Sequence, residues 1–242
     1  MKKALVLGAS GATGQLLVKI LLEKGVEVTA IVRNANSLPN IDNAHQNLQI
    51  VEAEISKIPN NDLAQYLKEC EVVLSCLGHN LTFKGMFGHP KQLVTDAITK
   101  VAKAIVSINA NNKIKIILMN TTGNSNRDIP EKPPYFQRFV IFLLRLLLPP
   151  HLDNEKAADF LRLEVGQNNN RIEWVAVRPD GLVNEDQVSQ FILIYSHCLL
   201  LKCKLLIPLF FRRSLSWNII QFQKVVNLGI KVSLSGKKHP LN

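Results

Sequence analysis

Lys3-Ala4-Leu5-Val6-Leu7-Gly8-Ala9-Ser10-Gly11-Ala12-Thr13-Gly14 opens the chain and runs on through Gln15 to Lys24. Residues 3–7 read as a short apolar strand, the three glycines as a loop, and the remainder as a helix. In that helix Leu17, Ile20 and Leu21 recur at core spacing, while Gln15, Lys19 and Glu23 line the opposite face. Gly25 ends it, as glycine commonly does just past a helix.

The same alternation continues outward. Further strands are predicted over 26–32, 48–51, 71–77, 114–119 and 172–177, with helices around 62–68, 91–109 and 154–167. The 91–109 stretch carries Leu93, Val94, Ala97, Ile98, Val101, Ala102 and Ile105 at helical period, leaving Asp96, Lys100 and Lys103 outside. Strands alternating with helices imply right-handed crossovers and a parallel sheet covered on both faces. The continuous apolar run 114–119 suits a strand buried on both sides. The expected class is therefore α/β, a Rossmann-type doubly wound parallel sheet.

Strand, glycine loop and helix together make an anion site, because the helix start presents unpaired N–H groups and a positive dipole end. Gly8 allows the tight exit from the strand, Gly11 lets backbone approach a pyrophosphate, and Gly14 lets helix and sheet pack closely. Ser10, Ala12 and Thr13 complete the cradle. The spacing is G-x-x-G-x-x-G. At the end of the second strand an acid would hold an adenosine ribose 2′-hydroxyl, whereas a cation accommodates a 2′-phosphate. Ala30-Ile31-Val32-Arg33-Asn34 has no acid there and offers Arg33, whose guanidinium forks onto phosphate. NADP(H) is expected in preference to NAD(H).

Composition narrows the classes further. With 242 residues, 47% apolar and 20% charged, the chain can bury a large core. No apolar run has the length of a membrane span, and the apolar run 4–7 is too short for a signal-peptide core. A cytoplasmic protein is the expectation. Four cysteines without C-x-x-C spacing indicate neither a zinc site nor a disulfide framework, so no metal is expected. The net charge of +10 is unevenly spread: residues 1–190 hold 21 basic and 19 acidic side chains, residues 191–242 hold 8 basic and none acidic. Basic and aromatic residues do not interleave there as a stacking platform would, so nucleic acid is not expected.

The chain resembles the atypical short-chain dehydrogenase/reductase family, in its NAD(P)-binding branch of NmrA-like regulators and biliverdin-IXβ/flavin-reductase-like proteins. The likeness covers about residues 1–186. It rests on Gly8-Ala-Ser-Gly-Ala-Thr-Gly14, Val32-Arg33-Asn34, Ser75-Cys76-Leu77-Gly78 and Trp174-Val-Ala-Val-Arg178-Pro179-Asp180-Gly181. By this resemblance Glu54 and Ile55 match the acidic-aliphatic pair that holds adenine, where the family more often has Asp. Cys76, Leu77 and Gly78 would flank the ribose and pyrophosphate, and Pro179 would wall the nicotinamide pocket. Thr121 and Thr122 match the Ser/Thr position beside the nicotinamide, and Lys156 matches the lysine of the following helix. Typical members have Tyr-x-x-x-Lys, in which lysine lowers the phenol pKa for proton transfer. Here Leu152 stands four residues before Lys156. His151, Asp153 and Tyr135 are other candidates for a proton donor.

Two regions fall outside that pattern. The segment 133–150 is apolar on nearly every side, interrupted only by Gln137, Arg138 and Arg145. It suits a substrate lid or core helix, a dimer contact or a membrane-surface helix. Residues 191–242 form a basic apolar segment departing from the family pattern, distinct from a 1–190 NAD(P)-binding domain, and they too could touch anionic lipid. The expected function is an NADPH-dependent reductase passing hydride to a small planar or carbonyl substrate without a Tyr-Lys dyad. The alternative is a non-catalytic NADP(H)-sensing binding protein. Substrate and oligomeric state are not legible.

Overall fold

The computed structural model describes residues 2–38, 45–79, 82, 88–108, 112–121, 124, 127, 135–179, 192–195 and 201–204. The strands are β1 (Lys3–Leu7), β2 (Glu27–Val32), β3 (Leu48–Glu52), β4 (Val72–Ser75), β5 (Ile114–Met119), β6 (Ile172–Arg178), β7 (Ile192–Tyr195) and β8 (Leu201–Lys204). The helices are α1 (Ala12–Glu23), α2 (Asn60–Leu67), α3 (Leu93–Ser107), α4 (Tyr135–Leu147) and α5 (Pro149–Phe160). The strand order is β3-β2-β1-β4-β5-β6-β8-β7. β1 to β6 are parallel, β8 joins β6 in parallel, and β7 returns antiparallel to β8. The expected Rossmann-type doubly wound sheet is what the chain forms, with a short two-stranded addition at the β6 edge.

Each strand splits its side chains between two cores, as period-two alternation requires. Ala4 and Val6 of β1 join Leu17, Val18 and Leu21 of α1 on one face. Leu5 and Leu7 join Leu63 and Leu67 of α2, Val94 and Ile98 of α3 and Ala157 of α5 on the other. The chain order reverses direction between β1 and β4, which opens a crevice at the carboxyl end of the sheet. The glycine loop after β1 lies there.

The helix predicted from residue 154 begins earlier, at Pro149. Two prolines look like an interruption, but the first helical turn has no use for its N–H groups, so proline fits it well. Beyond Phe160 the helix widens into a π turn over Leu161–Val165, and the Gly166 N–H reaches back to the Leu161 carbonyl at 3.0 Å. Ile192–Tyr195 and Leu201–Lys204 extend the sheet, so part of the 191–242 segment continues the fold.

Candidate functional site

An open cleft of about 150 Å³ lies at the carboxyl ends of β1 to β4. It brings together Gly8, Ser10, Gly11, Arg33, Glu54, Ile55, Cys76, Leu77 and Gly78, all singled out from sequence. Leu7, Ile31, Val32, Ala53 and Leu93 also line it. Those five carry no chemical signature, since they close strands or begin α3 and read simply as core. Ala12, Thr13 and Gly14 form the adjoining first turn of α1. No side chain caps that helix and no acid stands in its first turn, so its leading N–H groups and dipole face the loop. Gln15 Nε2 donates to the Ser10 carbonyl at 3.0 Å and the Ser37 carbonyl at 3.2 Å, pinning the glycine loop to the turn after β2.

The glycines do different work. Gly8 has φ +73°, and a Cβ there would sit 2.7 Å from the Cys76 carbonyl group. A Cβ on Gly14 would come within 2.1 Å of the Gly8 carbonyl oxygen. Both are demanded by packing. Gly11 is extended, and its Cβ would meet only the Gly8 oxygen, at 3.4 Å. Gly78 would meet nothing within 4 Å. The fold does not require glycine at either of these cleft positions, and the missing side chains leave room for a ligand to approach the backbone. A pyrophosphate fits this cradle.

Arg33 is exposed at the cleft, and the nearby carboxylates are engaged. Glu52 accepts from the Ala35 N–H at 3.0 Å. Glu54 accepts from Ser56 at 2.6 Å and pairs with Lys57 at 2.9 Å; these two contacts hold its carboxyl below the usual range, with Arg33 adding a smaller pull. Cys76 is half-buried in the wall, and burial pushes its thiol up to about 12, which makes it a wall and not a nucleophile.

A family model described as NAD(P)H-binding matches residues 8–197. This chain belongs to the NAD(P)H-binding family. No curated protein matches it. Among solved structures it is similar to a Rossmann-fold NAD(P)-binding family protein from Shigella flexneri, at 15% identity and TM-score 0.59, covering 100% of both chains. It is also similar to a wide-type short-chain dehydrogenase/reductase from Veillonella parvula in complex with NADP, at 15% identity and TM-score 0.61, covering 94% of this chain and 86% of that one. At these identities the likeness concerns the fold, in keeping with the resemblance drawn from sequence.

In this NAD(P)H-binding chain Thr121, Lys156 and Pro179 do not line the cleft just described. Thr121 is half-buried beyond the end of β5, and Pro179 is half-buried beyond β6. Lys156 is exposed on α5, one turn after Leu152, which is also exposed. Thr122 lies outside the described residues. Sequence reasoning missed Asn120, which is buried between them. Its backbone N–H donates to the Val177 carbonyl at 2.8 Å, its Nδ2 donates to the Asn154 carbonyl at 2.9 Å, and its Oδ1 accepts from the Thr121 N–H at 2.8 Å. One residue thus ties the end of β5 to β6 through its backbone and to the helix of Lys156 through its side chain.

Asp153, a candidate proton donor by sequence, has a different task. Its carboxylate is fully buried and accepts from the Val94 N–H at 2.8 Å, the Thr95 N–H at 3.1 Å and the Thr95 hydroxyl at 2.7 Å. It also pairs with His79 Nε2 at 2.9 Å. α3 has no cap of its own, so a residue of α5 caps it from outside. His79 follows Gly78 directly, which ties the same carboxylate to the cleft floor.

Glu155 is the second buried acid of α5. Burial alone would raise its pKa, but His151 at 3.6 Å and the forked Arg145, with contacts of 2.8–3.0 Å, outweigh this and hold it at about 2. A carboxyl lowered on folding adds stability above its ordinary 4.5, and that contribution fades as pH falls toward about 2. Glu155→Gln should therefore flatten the acid limb of the stability curve between pH 4.5 and about 2. At neutral pH it should cost on the order of 2–3 kcal/mol, discounted for the partly exposed Arg145. Denaturant melts across pH measure both; an unchanged acid limb would contradict the assignment.

Proposed function

We propose that the protein is an NADPH-dependent reductase of the atypical short-chain type, in the NmrA-like and flavin-reductase-like branch. It would reduce a small planar or carbonyl substrate without a Tyr-Lys dyad. The observation that carries the cofactor reading is the cradle at Gly11 and Gly78, two cleft glycines that the fold itself does not need. Bound nicotinamide would supply a hydride, and the protein would supply orientation. Gly8, Ser10, Gly11, Ala12, Thr13 and Gly14 would hold the pyrophosphate, Glu54 and Ile55 the adenine, and Cys76, Leu77 and Gly78 the ribose side. Arg33 would meet the 2′-phosphate. Thr121 and Thr122 would orient the substrate carbonyl by hydrogen bonding, Lys156 would contact the ribose, and Pro179 would wall the ring pocket.

Arg33→Asp should weaken NADPH by about 10- to 100-fold, the worth of a charge-assisted phosphate contact, and leave NADH nearly unchanged. Equal loss for both nucleotides in calorimetry would remove the basis for NADP preference. Turnover is tested by following NADPH consumption with quinones, flavins and carbonyls. The alternative, a sensor that binds NADP(H) without turnover, is favoured by Leu152 in the tyrosine position; tight binding with no consumption of NADPH across those acceptors would select it.

A further inference from the structure

The apolar helix α4 is not the core element its composition suggests. One side packs against α5: Ile141 is buried, Val140, Leu143 and Leu144 are half-buried, and Arg145 is clamped to Glu155. The other side is open. Tyr135, Phe136, Phe139, Phe142, Leu146 and Leu147 are 58–87% exposed. Among the described residues nothing covers them. A contiguous exposed face of four aromatic rings and two leucines is far from the scattered apolar surface of an ordinary monomer, and such a face marks an interaction site.

The charges around it narrow the occupant. α4 contains no acidic residue, and Arg138 stands on the open side with its guanidinium 5.9 Å from the Tyr135 ring centroid. Pairing two α4 faces about a two-fold axis would set arginine against apolar surface and arginine, with no carboxylate for either. The chain's own segment after residue 190 carries 8 basic and no acidic side chains, so packing it here adds like charge to like charge. An anionic bilayer answers both features: its acyl boundary takes the rings and leucines, and its headgroups take Arg138. A helix of 13 residues is about 20 Å long, short of the roughly 30 Å hydrocarbon core. Among the described residues no helix is long and apolar enough to cross a membrane. The helix would lie in the surface plane.

We propose that the open face of α4 rests on an anionic lipid bilayer, making the protein peripheral to a membrane. The face lies outside the nucleotide cleft, so the proposal stands independently of the cofactor reading. The test is co-sedimentation of the full chain with phosphatidylcholine vesicles, with and without phosphatidylglycerol, over a salt series. The wild type should pellet with the anionic vesicles and be released by salt. Phe139→Asp combined with Phe142→Asp should lose at least about tenfold in vesicle affinity, since two exposed rings no longer bury, with the melting temperature unchanged. Arg138→Glu should weaken binding to anionic vesicles about fivefold while keeping the apolar area. Absence of pelleting, equal pelleting of the double variant, or no preference for phosphatidylglycerol would overturn the proposal. So would a concentration-dependent dimer in sedimentation equilibrium that the double variant dissolves without any vesicle binding, which would assign the face to a second copy.

Discussion

Gly11→Val is expected to leave the protein folded and to cost it at least about a hundredfold in NADPH affinity, roughly 2.7 kcal/mol. Gly11 is extended at the start of α1, a conformation valine adopts readily, and its Cβ has only the Gly8 oxygen at 3.4 Å to meet. The capping penalty on the helix should stay near 1 kcal/mol. The branched side chain would instead project into the cleft that Gly11 lines, where the ligand must approach the backbone. Gly14→Val should behave in the opposite way. There a Cβ lies 2.1 Å from the Gly8 oxygen and 2.8 Å from the Ala9 Cα, backbone atoms that cannot step aside. It should destabilise by more than about 4 kcal/mol, enough to prevent folding. Parallel melts and nucleotide titrations of the two variants separate the roles. Undiminished binding by folded Gly11→Val would mean that the loop serves something other than a dinucleotide.

Asp153→Ala should lower stability by about 3–5 kcal/mol, the range for removing a buried carboxylate and leaving the several donors it satisfied, helix N–H groups among them, without an acceptor. For a domain of this size that is a fall in Tm of roughly 10 °C. The change removes the acceptor of two N–H groups of α3, the Thr95 hydroxyl and His79 at once. Because His79 adjoins Gly78 in the cleft floor, nucleotide affinity should fall as well. Lys156→Ala, at an exposed position on the same helix, is the control for stability alone and should stay within about 0.5 kcal/mol in the melt. A loss under about 1 kcal/mol for Asp153→Ala would contradict its role as a cap supplied from outside α3.

These two predictions also mark what could and could not be read from the chain. The glycine loop is legible because its residues are neighbours in sequence and stand between a strand and a helix, where Gly8 and Gly14 answer local packing demands. Arg33 is legible because it follows a strand end, Glu54 and Cys76 come only from the family resemblance, and parallel strands deliver all three to one edge. Asp153 misled because its partners, Val94 and His79, lie 59 and 74 residues away. Nothing local distinguishes a cap for a distant helix from a proton donor. Asn120 was invisible for the same reason, being one asparagine whose meaning depends on three elements meeting. α4 is legible only as a set of alternatives. Hydrophobicity on all sides suits a lid or core helix, a dimer contact or a membrane surface alike, and only the packing decides: among the described residues just one side of α4 is covered. Pro149 and Pro150 hid the first turn of α5, since proline stops a helix from within and starts one from its edge.

We propose that the cleft at the carboxyl ends of β1 to β4 binds a dinucleotide and that Arg33 selects its phosphorylated form. Calorimetric titration of the full chain with NADPH and NADH in parallel tests it most directly. The account predicts one site per chain, with NADPH bound at least about tenfold more tightly than NADH. Binding of neither nucleotide, or tighter binding of NADH, would contradict it.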